Sequence, residues 1–113
     1  MADRRDVLES LLMMQEPLAE ISVQLRAFSW DSNEDLVVLW PAHVVGVLER
    51  FLGGELQSHD VHDWADLIEC REDIGFDPQH ADVLRDVIFQ LANPELQGQL
   101  DRDGAARLIA RLR

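Results

Sequence analysis

His59 and His62 stand three residues apart, and Asp66 follows His62 by four, so one helix could offer two imidazoles and a carboxylate to a divalent ion. A further ligand would have to come from His43 or His80, which fall on other elements. No His-Glu-x-x-His or comparable ligand spacing is present. Acids and histidines on the outer side of an amphipathic helix are ordinarily a solvated surface, and Ser58-His59-Asp60 falls in a first turn, where the helix dipole favours acids. The bland reading is therefore preferred, with no metal and no other cofactor. A metal-binding enzyme using His59 and His62 is the weaker alternative.

The other candidates for chemistry fail on similar grounds. Cys70 has no second cysteine and no evident activating base, and Glu69 and Glu72 beside it would raise its pKa, so it reads as structural. Asp101-Arg102-Asp103-Gly104 echoes the opening of a calcium loop, but the twelfth position is Leu112 and the glycine comes two places early. Glycine-rich phosphate loops and the Gly-x-Ser-x-Gly elbow are missing too. A non-catalytic protein is expected.

What remains is charge. Residues 55–77 hold eight acids, Glu55, Asp60, Asp63, Asp66, Glu69, Glu72, Asp73 and Asp77, against the single base Arg71. The whole chain carries a formal net charge of −12, and all ten of its bases are arginine. Neutralising phosphates needs a basic face that such a chain can hardly assemble, so nucleic acid is not an expected partner. The same charge would steer a basic protein toward it. Asp60, Asp63, Asp66, Glu69, Glu72 and Asp73 are the candidate partner contacts.

Several amphipathic helices must position these acids. Ala2 to Met14 places Val7, Leu8, Leu11 and Leu12 on one stripe. Pro17 can begin a second helix with Leu18, Ile21, Leu25 and Phe28 inward, although Ile21, Val23, Leu25 and Ala27 also alternate as in a strand. Ser29 to Asn33 reads as a turn, and the apolar run Leu36 to Trp40 leaves its state open. A helix should begin at Pro41, bury Val44, Val45, Leu48, Phe51 and Leu52, and end at Gly53-Gly54. Ser58 is the expected N-cap of the acidic helix, whose inner stripe is Val61, Trp64, Ala65 and Ile68, with Leu67 toward the edge. Ile74-Gly75-Phe76 reads as a loop. Asp77-Pro78 should start the next helix, with Leu84, Val87, Ile88 and Leu91 inward, and Asn93-Pro94 should stop it. Asp101 caps a last helix that turns Ala105, Leu108, Ile109 and Leu112 inward and Arg107 and Arg111 outward. Of the tryptophans, Trp64 lies on an apolar stripe, while Trp30 and Trp40 flank the loop region.

Five or six short helices joined by brief links predict an all-α fold, a compact bundle in one domain spanning residues 1–113. With 47% apolar and 28% charged residues the composition is globular, and no apolar run approaches the length a bilayer demands. The N-terminus interleaves charge with apolar residues, unlike a signal peptide, and one cysteine suits a reducing compartment, so the cytoplasm is the expected location.

The helical order, the link Gly53-Gly54-Glu55-Leu56 and the following Asp60-Val61-His62-Asp63-Trp64-Ala65 resemble those of small acidic helical immunity proteins of bacteria, and Arg71-Glu72-Asp73-Ile74 and Leu91-Ala92-Asn93-Pro94-Glu95-Leu96 resemble recurrent patterns of related uncharacterised bacterial proteins. These are the colicin D immunity type and the immunity proteins paired with contact-dependent toxins. The resemblance spans roughly Pro41 to Leu112 and assigns no invariant functional residue. It implies a stoichiometric inhibitor that occludes the active site of a basic, nuclease-type toxin. A self-associating structural or regulatory domain, with an acidic surface serving solubility, is the alternative from another class.

Overall fold

Asp3 sets the start of the first helix: its carboxylate accepts the Asp6 N–H at 2.9 Å, satisfying a donor that no helical carbonyl can reach. The computed structural model describes residues 3–28, 34–69 and 71–113. The expected turn at Ser29 to Asn33, with Trp30, and Cys70 lie outside them. Helix α1 runs Arg4–Met13, and α2 follows as Leu18–Leu25 behind Pro17. Met14 closes α1 in the left-handed conformation, its N–H returning to the Leu11 carbonyl while that of Gln15 returns to Ser10. Val7, Leu8, Leu11, Leu12, Ile21 and Leu25 are buried, so the helical period prevails over the strand-like alternation in α2.

The open run 36–40 resolves as a strand, β1 (Val37–Leu39), that passes directly into α3 (Pro41–Leu52). Pro41 forces the change of conformation. Trp40 stays extended, its N–H donates to His43 Nδ1 at 2.9 Å, and its carbonyl accepts the His43 N–H at 3.0 Å. Gly54, at φ +84°, turns the chain out of α3 toward α4 (Ser58–Glu69). Ser58 is the first residue of α4 rather than a cap on Asp60 or Val61. Its Oγ accepts from Gln99 Nε2 at 2.6 Å, and Asp60 Oδ2 accepts the Gln57 N–H at 2.8 Å.

The segment read as a loop at 74–76 is instead β2 (Ile74–Phe76), which pairs in parallel with β1 in the register Val37 to Ile74, Val38 to Gly75 and Leu39 to Phe76. Parallel strands need a crossover, and here α3 and α4 together supply it. Gly75 is what lets the strands settle: a Cβ there would meet Asp35 Oδ2 at 2.2 Å. The next helix, α5 (Ala81–Ala92), begins later than the Asp77-Pro78 pair suggests. Asp77 is buried against β1, its N–H bonded to the Leu39 carbonyl at 3.0 Å, and its carboxylate contacts His80 Nδ1 at 2.5 Å. Strand pairing thus holds Asp77 out of the helix it was expected to cap. A short α6 (Pro94–Gln97) follows, then α7 (Arg102–Leu112), whose cap Asp101 accepts the Gly104 N–H at 2.7 Å.

The described residues thus form a mostly helical bundle with seven helical segments, one of them only four residues long, and a two-stranded sheet. One apolar cluster joins every element except α6, drawing Val44 and Leu48 from α3, Leu84, Val87, Ile88 and Leu91 from α5, and Ala105, Leu108, Ile109 and Leu112 from α7. Trp64 sits in its interior with no exposed surface, and its Nε1–H donates to the Leu11 carbonyl at 2.7 Å, tying α4 to α1. Full burial of Val61 and Ile68 contributes about 1.5–3 kcal/mol each. Helix α4 is therefore a rigid support for whatever its outer side presents.

Candidate functional site

Asp60, Asp63, Asp66 and Glu69 repeat at a strict spacing of three. Each step of three residues advances the helix by about 300°, so successive acids fall back by about 60° and sweep half its circumference. The buried stripe of Val61, Trp64, Ala65 and Ile68 occupies the other half. Asp63 and Asp66 consequently straddle the solvent pole, and Asp60 and Glu69 lie near the two borders. The burial follows this geometry: the Asp63 side chain is 58% exposed and that of Asp60 35%. Asp66, Glu69 and Glu72 are exposed as well.

The polar contacts of these acids come from a backbone amide, two histidines and an asparagine side chain. Asp60 serves the Gln57 N–H, and His59 Nε2 lies 3.3 Å from its other oxygen. His62 Nδ1 lies 3.1 Å from Asp63 Oδ1 rather than on Asp66. Asn93 Nδ2 donates to Glu69 Oε2 at 3.2 Å and to the Phe89 carbonyl at 2.8 Å, fastening the end of α4 to the end of α5. No arginine pairs with Asp60, Asp63, Asp66, Glu69 or Glu72 among the described residues. The arginine ion pairs fall elsewhere, on Asp73, Glu55, Asp86 and Glu49. The row therefore presents negative potential to solvent.

Asp73 does not belong to this surface, and its assignment as a partner contact is corrected. Its side chain is 0% exposed and is gripped from two directions. Arg71 holds it as a bidentate fork, Nε to Oδ1 and Nη2 to Oδ2, both at 2.9 Å. Arg4, reaching across from α1, donates through Nε at 2.9 Å, with Nη2 at 2.8 Å. Burial alone would raise the Asp73 carboxyl, but the hydrogen bonds and charges of Arg71 and Arg4 outweigh it and hold the group below its ordinary value. The Asp73 carbonyl also accepts the Leu36 N–H at 2.8 Å. The residue is a structural node that binds α1 and the sheet together. Spacing could not show this, because Arg4 lies at the opposite end of the chain.

Two grooves flank the N-terminal half of α4. One, of about 550 Å³, runs toward the start of α2, with Asp60 and Asp63 on its rim and Met14, Leu18 and Leu56 among its apolar walls. The other, of about 520 Å³, lies toward α7 and includes Arg107 and Arg111. The outward placing of these arginines gave no hint of a groove between α4, α5 and α7. The only available signal was the spacing of four between them.

The remaining candidates disperse. His43 is fixed at the start of α3, where its Nδ1 accepts the Trp40 N–H, and burial lowers its pKa against a smaller opposing effect of Glu9. His80 belongs to Asp77, and among the described residues no three histidine, cysteine or acidic groups converge as a metal site. Trp40 is half exposed, and Leu67 is partly buried against the core rather than free beside the acids. Among the described residues no helix is long and apolar enough to cross a membrane. No family model matches the chain, and neither a curated protein nor a solved structure matches it.

Proposed function

We propose that this protein is a non-catalytic binding module that docks a basic protein domain on the acidic face of α4, in the manner of an immunity protein that neutralises a nuclease-type toxin. The observation that supports this reading is the row Asp63, Asp66 and Glu69, exposed and without an arginine partner among the described residues, on a helix anchored by fully buried side chains, with exposed Glu72 just beyond its end. Fixed, unneutralised carboxylates on a rigid helix pay little ordering cost when a cationic surface arrives. They also raise the rate of encounter, an effect that salt suppresses. The groove beside Asp60 and Asp63, with Met14, Leu18 and Leu56 in its walls, offers an apolar anchor point next to the charge. Occlusion needs no catalytic residue in this chain.

The test is a triple substitution, Asp63→Ala, Asp66→Ala and Glu69→Ala, measured for binding to the toxin encoded beside this gene. The association rate should fall by at least about tenfold at low salt, with a weaker salt dependence than the parent. Unchanged rate and affinity would sink the acidic-face mechanism.

A further inference from the structure

The ten arginines are distributed unevenly between structural duty and freedom. Arg4 and Arg71 hold Asp73, and Arg50 contacts Glu55 and the Met14 carbonyl. Arg85 lies over the Phe76 ring, and Arg102 donates to the Leu52 carbonyl at 2.8 Å. Arg111 pairs with Asp86 at 2.9 Å, and Arg113 lies 3.6 Å from Glu49. The side chains of Arg5, Arg26 and Arg107 are left without a hydrogen-bond or ion-pair partner among the described residues. Of these three, Arg107 alone lines the groove between α4, α5 and α7.

That groove has a two-part chemistry. Leu91 and Leu108, nearly removed from solvent, and the partly buried Leu100 form an apolar floor, and Arg107 lines the same groove without an ion-pair partner among the described residues. Its volume of about 520 Å³ is that of an ordinary small-molecule site. The charge balance limits the ligand. Arg111 is already half satisfied by Asp86, and Asp101, also on the wall, keeps its carboxylate on the Gly104 N–H. One uncompensated cation inside a chain of net charge −12 suits a single negative charge and opposes a polyanion. A planar guanidinium matches a carboxylate through two parallel hydrogen bonds.

We propose that this groove binds a small amphipathic monocarboxylate, its aliphatic or aromatic body on Leu91, Leu100 and Leu108 and its carboxylate on Arg107. The site adjoins the acid-rimmed groove along α4, with His59 lining both, and its test requires no toxin. The probes are decanoate, decanol and decyltrimethylammonium, which share one chain and differ in charge, titrated into the intact protein by calorimetry and followed by amide NMR. Decanoate should bind one molecule per chain with a dissociation constant below about 1 mM, shifting the amides of Leu91, Leu100 and Leu108. The cationic probe should not displace it. Arg107→Gln, at an exposed position where the core is untouched, should weaken decanoate by at least about tenfold and leave any decanol affinity unchanged. Absence of saturable decanoate binding, equal binding of the cationic probe, or an unaltered affinity in the Arg107→Gln protein would each overturn the proposal.

Discussion

Replacing Asp73 by asparagine separates the buried structural acid of this chain from its exposed acids. The substitution preserves shape and removes one charge. Arg71, whose side chain is 2% exposed, cannot lose its proton, so it would be left as a buried cation facing a neutral amide. Arg4, 24% exposed, can turn partly to water and recover some hydration. Breaking a buried pair from one side costs about 3–5 kcal/mol, and the surviving amide oxygen places the expected loss at the lower end. With a urea dependence of about 1.5 kcal/mol per molar, the unfolding midpoint should fall by about 2 M. Asp66→Asn, at an exposed position with no arginine nearby, is the control and should change stability by no more than about 0.5 kcal/mol. Replacing both partners, Arg71→Met with Asp73→Leu, should restore much of the loss, because no bare charge is then buried. The pH dependence has a definite sign. A carboxyl held below its ordinary value of 3.8 adds stability that is present above that pH and is lost as the pH falls through the folded-state pKa. The asparagine variant should lack that part of the acid limb. Equal urea midpoints for Asp73→Asn and Asp66→Asn would refute the buried-node account.

Trp64→Phe removes the indole donor to the Leu11 carbonyl and part of a fully buried ring, so a loss of about 2–3 kcal/mol is expected by urea unfolding. His43 accepts the Trp40 N–H through Nδ1 and so acts as a neutral ring. Burial lowers its pKa from 6.5, and its contribution should be present above that value and lost as the pH falls through it toward the folded-state pKa. His43→Ala should flatten the stability profile between about pH 7 and pH 5 when unfolding is measured across that range.

The exposed acid Asp66 and the buried acid Asp73 look alike in local composition. Asp66 and Asp73 are both aspartates in one acidic segment, and each has apolar residues nearby in sequence. Asp66 follows the helical period, so its direction could be worked out from Val61, Trp64, Ala65 and Ile68. Asp73 lies beyond the end of α4, where no period applies, and its direction is set by Arg4 and by pairing of its carbonyl with Leu36.

The amphipathic period of α1, α3, α4 and α7, the break at Pro41, the cap at Asp101 and the outward row Asp60, Asp63, Asp66 and Glu69 were determined by residues within a turn or two of one another. Those features are local consequences of helical geometry and capping, so the sequence alone contains them. The parallel pair β1 and β2, the late start of α5, the burial of Asp73 and the groove under Arg107 depend on partners from distant parts of the chain. Three residues such as Ile74-Gly75-Phe76 hold too little pattern to announce a strand, and the reason for Gly75 is the side chain of Asp35. Only the packed chain brings such partners together, because their attraction exists solely after the intervening helices have closed the crossover.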